Sequence, residues 1–191
     1  MQSLQQSFEE LRQRLKHGRG LNYTSDDPVY YLVFDPAQML EVKRMMKQWT
    51  AKLKLEGWQV HRFSMADAVH KILHANPLWD LWLESEAEDP LDFETINKTL
   101  TDALIGDDTL KKMLEDKLNA LSKKGKTILF IIDLEALHPY LRVGSLEQRL
   151  QGKFSVPTVI LYPGKRAGKT TLKFLGIYPE DGNYRSTHIG G

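Results

Sequence analysis

Cysteine is absent from this 191-residue chain, which excludes disulfide bonds, thiolate zinc ligands and cysteine nucleophiles. No apolar run approaches the roughly 20 residues that a membrane-spanning helix needs, and residues 1–20 lack the apolar centre of a signal peptide. An excess of either charge is also missing, because 26 lysines and arginines stand against 25 acidic residues. This balance argues against a global attraction to nucleic acid or acidic membranes and allows a local patch. We expect a soluble, intracellular protein that forms a single domain over residues 1–191.

The chain does contain a strong signal for a buried strand. Residues 128–132 are all apolar, and Asp133 and Glu135 follow them. A strand without a polar face must be covered on both sides, which is typical of the middle of a parallel sheet between helix layers. The run Val29–Phe34 is nearly as apolar, so we expect it to lie beside the central strand. The prediction is an α/β fold of three layers, with a mainly parallel central sheet flanked by helices.

Apolar spacings of three and four residues predict the helices. They cover residues 1–17, 37–56, 92–105 and 107–124. Ser64 and Asp67 form a capping arrangement that begins another helix, and Ser145 is expected to cap a short one over residues 146–150. The block 66–124 is therefore a helical insertion, which we expect to stand as a lobe and to contain an acidic loop over residues 84–89.

The last third of the chain is predicted to be rich in strands, at residues 156–162, 170–178 and 183–189. The first two are joined by a turn over residues 164–169 and form a C-terminal β-hairpin, and the third lies at an edge. The turn contains Gly164 and Gly168 followed by a lysine and a threonine, which is close to a phosphate-binding loop. Only three residues separate the glycines, and a strand follows instead of a helix. We interpret it as a basic hairpin tip, whose cations could contact a phosphate backbone or an acidic partner.

Other candidate chemical sites are incomplete. Asp133 after the central strand resembles the magnesium-binding acid of a nucleotide hydrolase, but the phosphate loop that would complete such a site is missing. The alternative is an acid that caps the following turn. His70 and His74 share a helix face but lack the glutamate of a zinc protease motif, and no serine lies in a Gly-x-Ser-x-Gly elbow. We therefore expect no enzyme activity, no metal and no cofactor.

The four tryptophans, at positions 49, 58, 79 and 82, are expected to belong to the core. Trp79 and Trp82 have an alternative interpretation, because they are three residues apart beside the acidic stretch. They could form a patch that binds a partner.

The order of several short motifs along the chain is distinctive. They are Phe8-Glu9-Glu10-Leu11, Phe34-Asp35-Pro36, Glu41-Val42, Gly57-Trp58-Gln59-Val60, Pro139-Tyr140-Leu141-Arg142, Tyr162-Pro163-Gly164, Leu172-Lys173-Phe174-Leu175-Gly176 and Asn183-Tyr184-Arg185. Together they resemble the BrxB family, a small component of BREX (bacteriophage exclusion) defence islands. The resemblance spans nearly the whole chain, and only residues 76–124 carry no matching motif. The family usually has a glycine in the loop after the central strand, where this chain has Asp133-Leu134-Glu135.

The resemblance implies a cytoplasmic protein needed for phage restriction. It would work beside a DNA methyltransferase, a large ATPase and the phosphatase-like PglZ. We hypothesise a non-enzymatic adaptor for which PglZ is the expected partner, with its contact face on the first helix or around Trp79 and Trp82. The alternatives are a DNA-binding subunit and a degenerate nucleotide-binding protein without a Walker A loop, centred on Asp133. The candidate binding residues are Trp79, Trp82, Tyr140, Arg142, Lys165, Arg166, Lys169 and Arg185.

Overall fold

A computed structural model describes residues 2–17, 27–168, 170–180 and 186–191. Seven α-helices and six strands occur in these ranges. The helices are α1 (Leu4–His17), α2 (Met39–Leu55), α3 (Met65–His74), α4 (Trp79–Glu88), α5 (Phe93–Ile105), α6 (Thr109–Ser122) and α7 (Val143–Arg149). The strands are β1 (Val29–Phe34), β2 (Gln59–Ser64), β3 (Thr127–Ile132), β4 (Thr158–Arg166), β5 (Leu172–Phe174) and β6 (Thr187–Gly190).

The strands form one sheet in the order β2-β3-β4-β1-β6, and all neighbours on this path are parallel. β5 pairs with β4 in antiparallel orientation, which confirms the predicted hairpin, and β6 lies at the predicted edge. The expectation that β1 lies directly beside β3 is wrong. β4 separates them, and its Ile160 is opposite Tyr31 of β1 and Ile131 of β3. The paired segments of these three strands are almost entirely apolar and buried, so the hydrophobic pattern carries no signal for their order.

Helices cover both faces of the sheet, as the apolar strands require. All six residues of β1 are buried, and they alternate between two core clusters. Tyr30 and Leu32 face α1 and α2, whereas Tyr31 and Val33 face α3, α5, α6 and α7. The predicted three-layer α/β fold is confirmed.

The apolar stripe of α1 is part of the core. Leu4, Phe8, Leu11 and Leu15 are buried, and the ring of Phe8 stacks on that of Trp49 with centroids 4.7 Å apart. Burial of each such side chain contributes about 1.5–3 kcal/mol. The hypothesis that α1 offers an exposed contact face is therefore wrong.

The helical insertion 66–124 does not stand apart as a lobe. α3, α5 and α6 place Ile72, Leu104 and Leu114 in the core beneath the sheet. α4 differs, because none of its residues is buried. The acidic loop predicted over residues 84–89 is wrong, since α4 continues to Glu88. Residues 78–89 contain no glycine or proline to stop a helix, and Leu, Glu and Ala favour one.

Two other local predictions need correction. α7 begins at Val143, and no side chain caps it, so Ser145 lies inside the helix. β4 continues through Arg166, and the strand predicted over residues 170–178 is limited to β5. Leu175 and Gly176 have φ of 50° and 73°, and these left-handed conformations end β5. None of the described helices is long and apolar enough to cross a membrane.

Candidate functional site

The carboxyl end of β3 is shaped by an unusual backbone conformation. Asp133 has φ 60° and ψ 41°, in the left-handed region that aspartate tolerates better than most residues. The chain then forms a 3₁₀ turn over Leu134–Leu137. The Asp133 carboxylate turns away from this 3₁₀ turn and makes no capping hydrogen bond to it. The prediction that this acid caps the following turn is therefore wrong.

Both carboxylate oxygens of Asp133 are engaged by the chain itself. Ser64 Oγ donates to Oδ2 at 2.7 Å, and Lys43 Nζ lies 2.9 Å from Oδ1. Lys43 Nζ also donates to Glu135 Oε1 at 2.7 Å, and its hydrogen bonds to Glu135 and Asp133 raise the pKa of its ammonium above the ordinary value. Ser64 meanwhile accepts from the Asp67 amide and caps α3, as predicted. The cluster joins α2, β2 and β3 at one edge of the sheet.

The two histidines of α3 do not form part of a metal site among the described residues. His70 and His74 do share a face of α3, with ring centroids 4.0 Å apart, but both are exposed. Within the ranges that the structure describes, no group of three or more His, Asp or Glu side chains is placed to hold a metal ion.

A second feature of the same sheet edge is a pocket beside the Pro139–Arg142 turn. Its apolar walls come from four segments, and it has a volume of about 510 Å³ including the solvent at its mouth. His138 Nε2 and the Tyr178 hydroxyl form a hydrogen bond across it, and the Arg142 guanidinium lies 5.8 Å from the centre of the Tyr178 ring. Burial, and then the charge of Arg142, lowers the pKa of His138 below its ordinary value. The neutral imidazole leaves Arg142 as the cation of this pocket.

Of the two candidate binding residues in this turn, Arg142 lines the pocket and Tyr140 does not. Arg142 is exposed at its mouth, whereas Tyr140 is partly buried against the core and does not line it.

The third feature is an exposed apolar surface on α4 and the segment that follows it. We define the α4 face as Leu78, Leu81, Leu83, Leu91 and Phe93, whose exposed fractions are 49%, 58%, 45%, 77% and 63%. Trp79 and Trp82 are half-buried beside these residues. The Trp79 ring lies next to that of His74, with centroids 4.3 Å apart and the ring planes tilted by 40°. The prediction that these two tryptophans belong to the core is therefore met only in part, since both are half-buried. Trp49 and Trp58 are buried, as expected.

The α4 face lies within an acidic stretch of the chain. Residues 72–97 contain no lysine or arginine. The same range holds seven carboxylates: Asp80, Glu84, Glu86, Glu88, Asp89, Asp92 and Glu94. In a chain of nearly balanced charge, this stretch is a strong local exception.

The β4–β5 hairpin carries the opposite charge. Lys165 and Arg166 are exposed, and Lys165 lies directly opposite Lys173 in the strand pair. Like charges opposite each other destabilise a strand pair, and no acidic side chain of the described ranges pairs with these three cations. Lys169 and Arg185, the other two candidates, lie outside the described residues.

The fold and these features define the class of protein: a three-layer α/β protein with a parallel sheet, an ionic cluster at its carboxyl edge and an acidic apolar helix on its surface. A family model described as "BREX protein BrxB" matches residues 61–189. The chain belongs to the BrxB family and is a component of a BREX phage-defence system. The match begins in β2 and includes the α4 face, the pocket and the hairpin. No curated protein and no solved structure matches the chain.

Sequence reasoning did not find Lys43, His138 or Tyr178 as parts of these sites. Lys43 lies 90 positions before Asp133, and Tyr178 lies 40 positions after His138. None of them belongs to a motif of its own. Only the strand order brings them to their partners.

Proposed function

We propose that the chain is a non-enzymatic adaptor of BREX defence, which binds another BREX protein and acts in phage restriction and host DNA methylation. PglZ is the first partner to test. The observation that carries the proposal is the α4 face. α4 contributes nothing to the core, yet it presents large apolar side chains to solvent.

A single exposed leucine needs no explanation, but a contiguous group does. Five large apolar side chains within residues 78–93 leave about half or more of their surface in solvent, which costs solubility and limits what they contribute to folding. Burial of each against a partner would contribute on the order of 1 kcal/mol or more. Such a surface is explained most simply by a partner that covers it.

The acidic surroundings specify the chemistry of that partner. Seven carboxylates in a stretch with no lysine or arginine favour a partner surface with an apolar centre and a rim of lysine and arginine. Because rim charges act mainly on the rate of association, binding should slow as salt is raised while complex lifetime changes little.

Pairwise co-purification with each BREX protein tests the proposal. The double variant Leu81→Ser/Leu91→Ser removes two side chains that are more than half exposed. It should abolish co-purification and leave the melting temperature unchanged, since neither residue belongs to the core. Leu55→Ser is the matched control, because Leu55 is 88% exposed on α2 and should have no effect on binding. Failure of the wild-type chain to bind any BREX protein would contradict the adaptor role.

The non-enzymatic part of the proposal is supported by the ionic cluster. Both oxygens of Asp133 are held by Ser64 and Lys43, so the acid that most resembles a nucleotide-hydrolase residue already has partners. Titration calorimetry with ATP and magnesium should show no binding heat. Nucleotide turnover by the purified chain that is lost in Asp133→Asn would overturn this part.

A second candidate function is DNA contact by the hairpin. Lys165, Arg166 and Lys173, which pair with no acidic side chain of the described ranges, form a group that phosphate oxygens would neutralise. The variant Lys165→Gln/Arg166→Gln should weaken DNA binding and reduce the salt dependence by about two ions. Absence of DNA binding at low salt would reject this candidate and leave the adaptor role intact.

A further inference from the structure

The pocket beside the Pro139–Arg142 turn has the features of a ligand site that the adaptor role does not use. Its walls include Leu134, Leu137 and Leu141 from one stretch of the chain, Tyr162 from β4 and Phe174 from β5. It opens at the carboxyl edge of the sheet, where α/β proteins commonly bind ligands. It lies outside the α4 face, and its residues are not the acids of the ionic cluster.

One unpaired charge stands at the mouth of this apolar pocket. Arg142 is exposed, and among the described residues no carboxylate forms an ion pair with it. Its guanidinium lies over the Tyr178 ring, and its charge contributes to lowering the pKa of His138. Stacking on an aromatic face holds the planar guanidinium while leaving its N–H donors for another group.

The His138–Tyr178 hydrogen bond fixes the wall on which Arg142 rests. Tyr178 also stands next to Phe174, with ring centroids 6.2 Å apart, and Phe174 contacts Tyr162 at 5.4 Å. This row of aromatic rings continues from the mouth into the pocket. The site is therefore organised before any ligand arrives.

We propose that this pocket binds a monocarboxylate with an apolar body of about one side chain, as an acylated leucine or the carboxyl-terminal residue of a polypeptide presents it. The apolar walls take the body, and the guanidinium fork of Arg142 takes the carboxylate in a two-point contact. One arginine matches one negative charge. A phosphate ester would need further cations, and the pocket lining holds none besides Arg142.

The proposal is tested on the purified full chain, so the result does not depend on binding to any BREX partner. The probes are N-acetyl-leucine, N-acetyl-leucinamide and a short peptide that ends in a free leucine carboxylate, followed by amide chemical shifts in NMR titrations. The acid and the peptide should shift residues 134–143 and 172–178, and the amide should bind at least about tenfold more weakly. Tighter binding of the peptide than of the free acid would identify a polypeptide end as the source of the ligand, and equal affinity would identify a small acid.

Two variants of Arg142 separate charge from geometry. Arg142→Gln should lower the affinity for the acid at least about tenfold, and Arg142→Lys should recover only part of it because it lacks the planar fork. Arg44→Gln is the matched control, since Arg44 is exposed on α2 and away from the pocket lining. Equal binding of acid and amide, or full affinity in Arg142→Gln, would overturn the proposal.

Discussion

Substitution of Asp133 tests whether its contacts with Ser64 and Lys43 stabilise the fold. Asp133→Ala removes the Ser64 hydrogen bond, worth about 1.5–3 kcal/mol for a charged acceptor, and a half-exposed ion pair to Lys43 worth about 0.5 kcal/mol. Alanine also tolerates the left-handed conformation of residue 133 less well than aspartate does, at an added cost of up to about 1–2 kcal/mol. The total loss in unfolding free energy should be about 4 kcal/mol. Asp133→Asn keeps an acceptor and tolerates the backbone, so it should lose only about 1 kcal/mol.

Urea unfolding followed by tryptophan fluorescence measures both values, because Trp49 and Trp58 are buried in the native state. Asp102→Ala is the control, since Asp102 is exposed on α5 and should change stability by less than about 0.5 kcal/mol. Equal stability of the Ala and Asn variants would refute the claim that the left-handed conformation at position 133 disfavours alanine. No loss in either variant would show that the cluster does not stabilise the fold.

Three further predictions concern the core. Gly164→Ala should destabilise the chain by more than about 2 kcal/mol in urea unfolding, because its β-carbon would lie 2.4 Å from the Lys173 carbonyl oxygen; a neutral effect would disprove this contact. Glu147 accepts from Tyr31, but burial raises its pKa above 4.5, so ionisation costs native stability as pH rises. Glu147→Gln should therefore be more stable than the wild type at pH 7, with the advantage disappearing below about pH 4.5; a constant difference would refute it. Burial lowers the pKa of His188 to about 4, so the native state stays neutral where the unfolded chain takes up a proton. The free energy of unfolding should therefore fall as the pH is lowered from about 6.5 to 4. The His188→Asn variant should lose less stability over this pH range in unfolding titrations.

Periodicity was sufficient to predict the layers of this fold but not the order of its strands. The apolar run 128–132 required cover on both faces, and the structure provides it. The same property left the strand order open. The apolar parts of β1 and β4 are also buried on both sides, so any of the three strands could have been central. Strand order depends on how the connections pack, which no single strand encodes.

The acidic stretch shows how composition can mislead. Residues 84–89 were predicted as a loop because charge dominates them, yet their helix propensity is high and α4 includes most of them. The left-handed conformation of Asp133 could not be predicted either, because no glycine marks this position and aspartate adopts such a conformation only occasionally. Contacts such as His138 with Tyr178 depend on the hairpin returning to the end of β3, so they could not be read from spacing.

Hydrogen–deuterium exchange on the chain, free and within the complex recovered from cells that carry the whole BREX island, tests the adaptor account most directly. α4 has no buried side chain, so its amides should exchange early in the free chain. The account predicts that binding protects the amides of Trp79–Glu88 and of the first turn of α5 more than those of any other exposed helix. Protection elsewhere on the surface with α4 exchanging as in the free chain would contradict it.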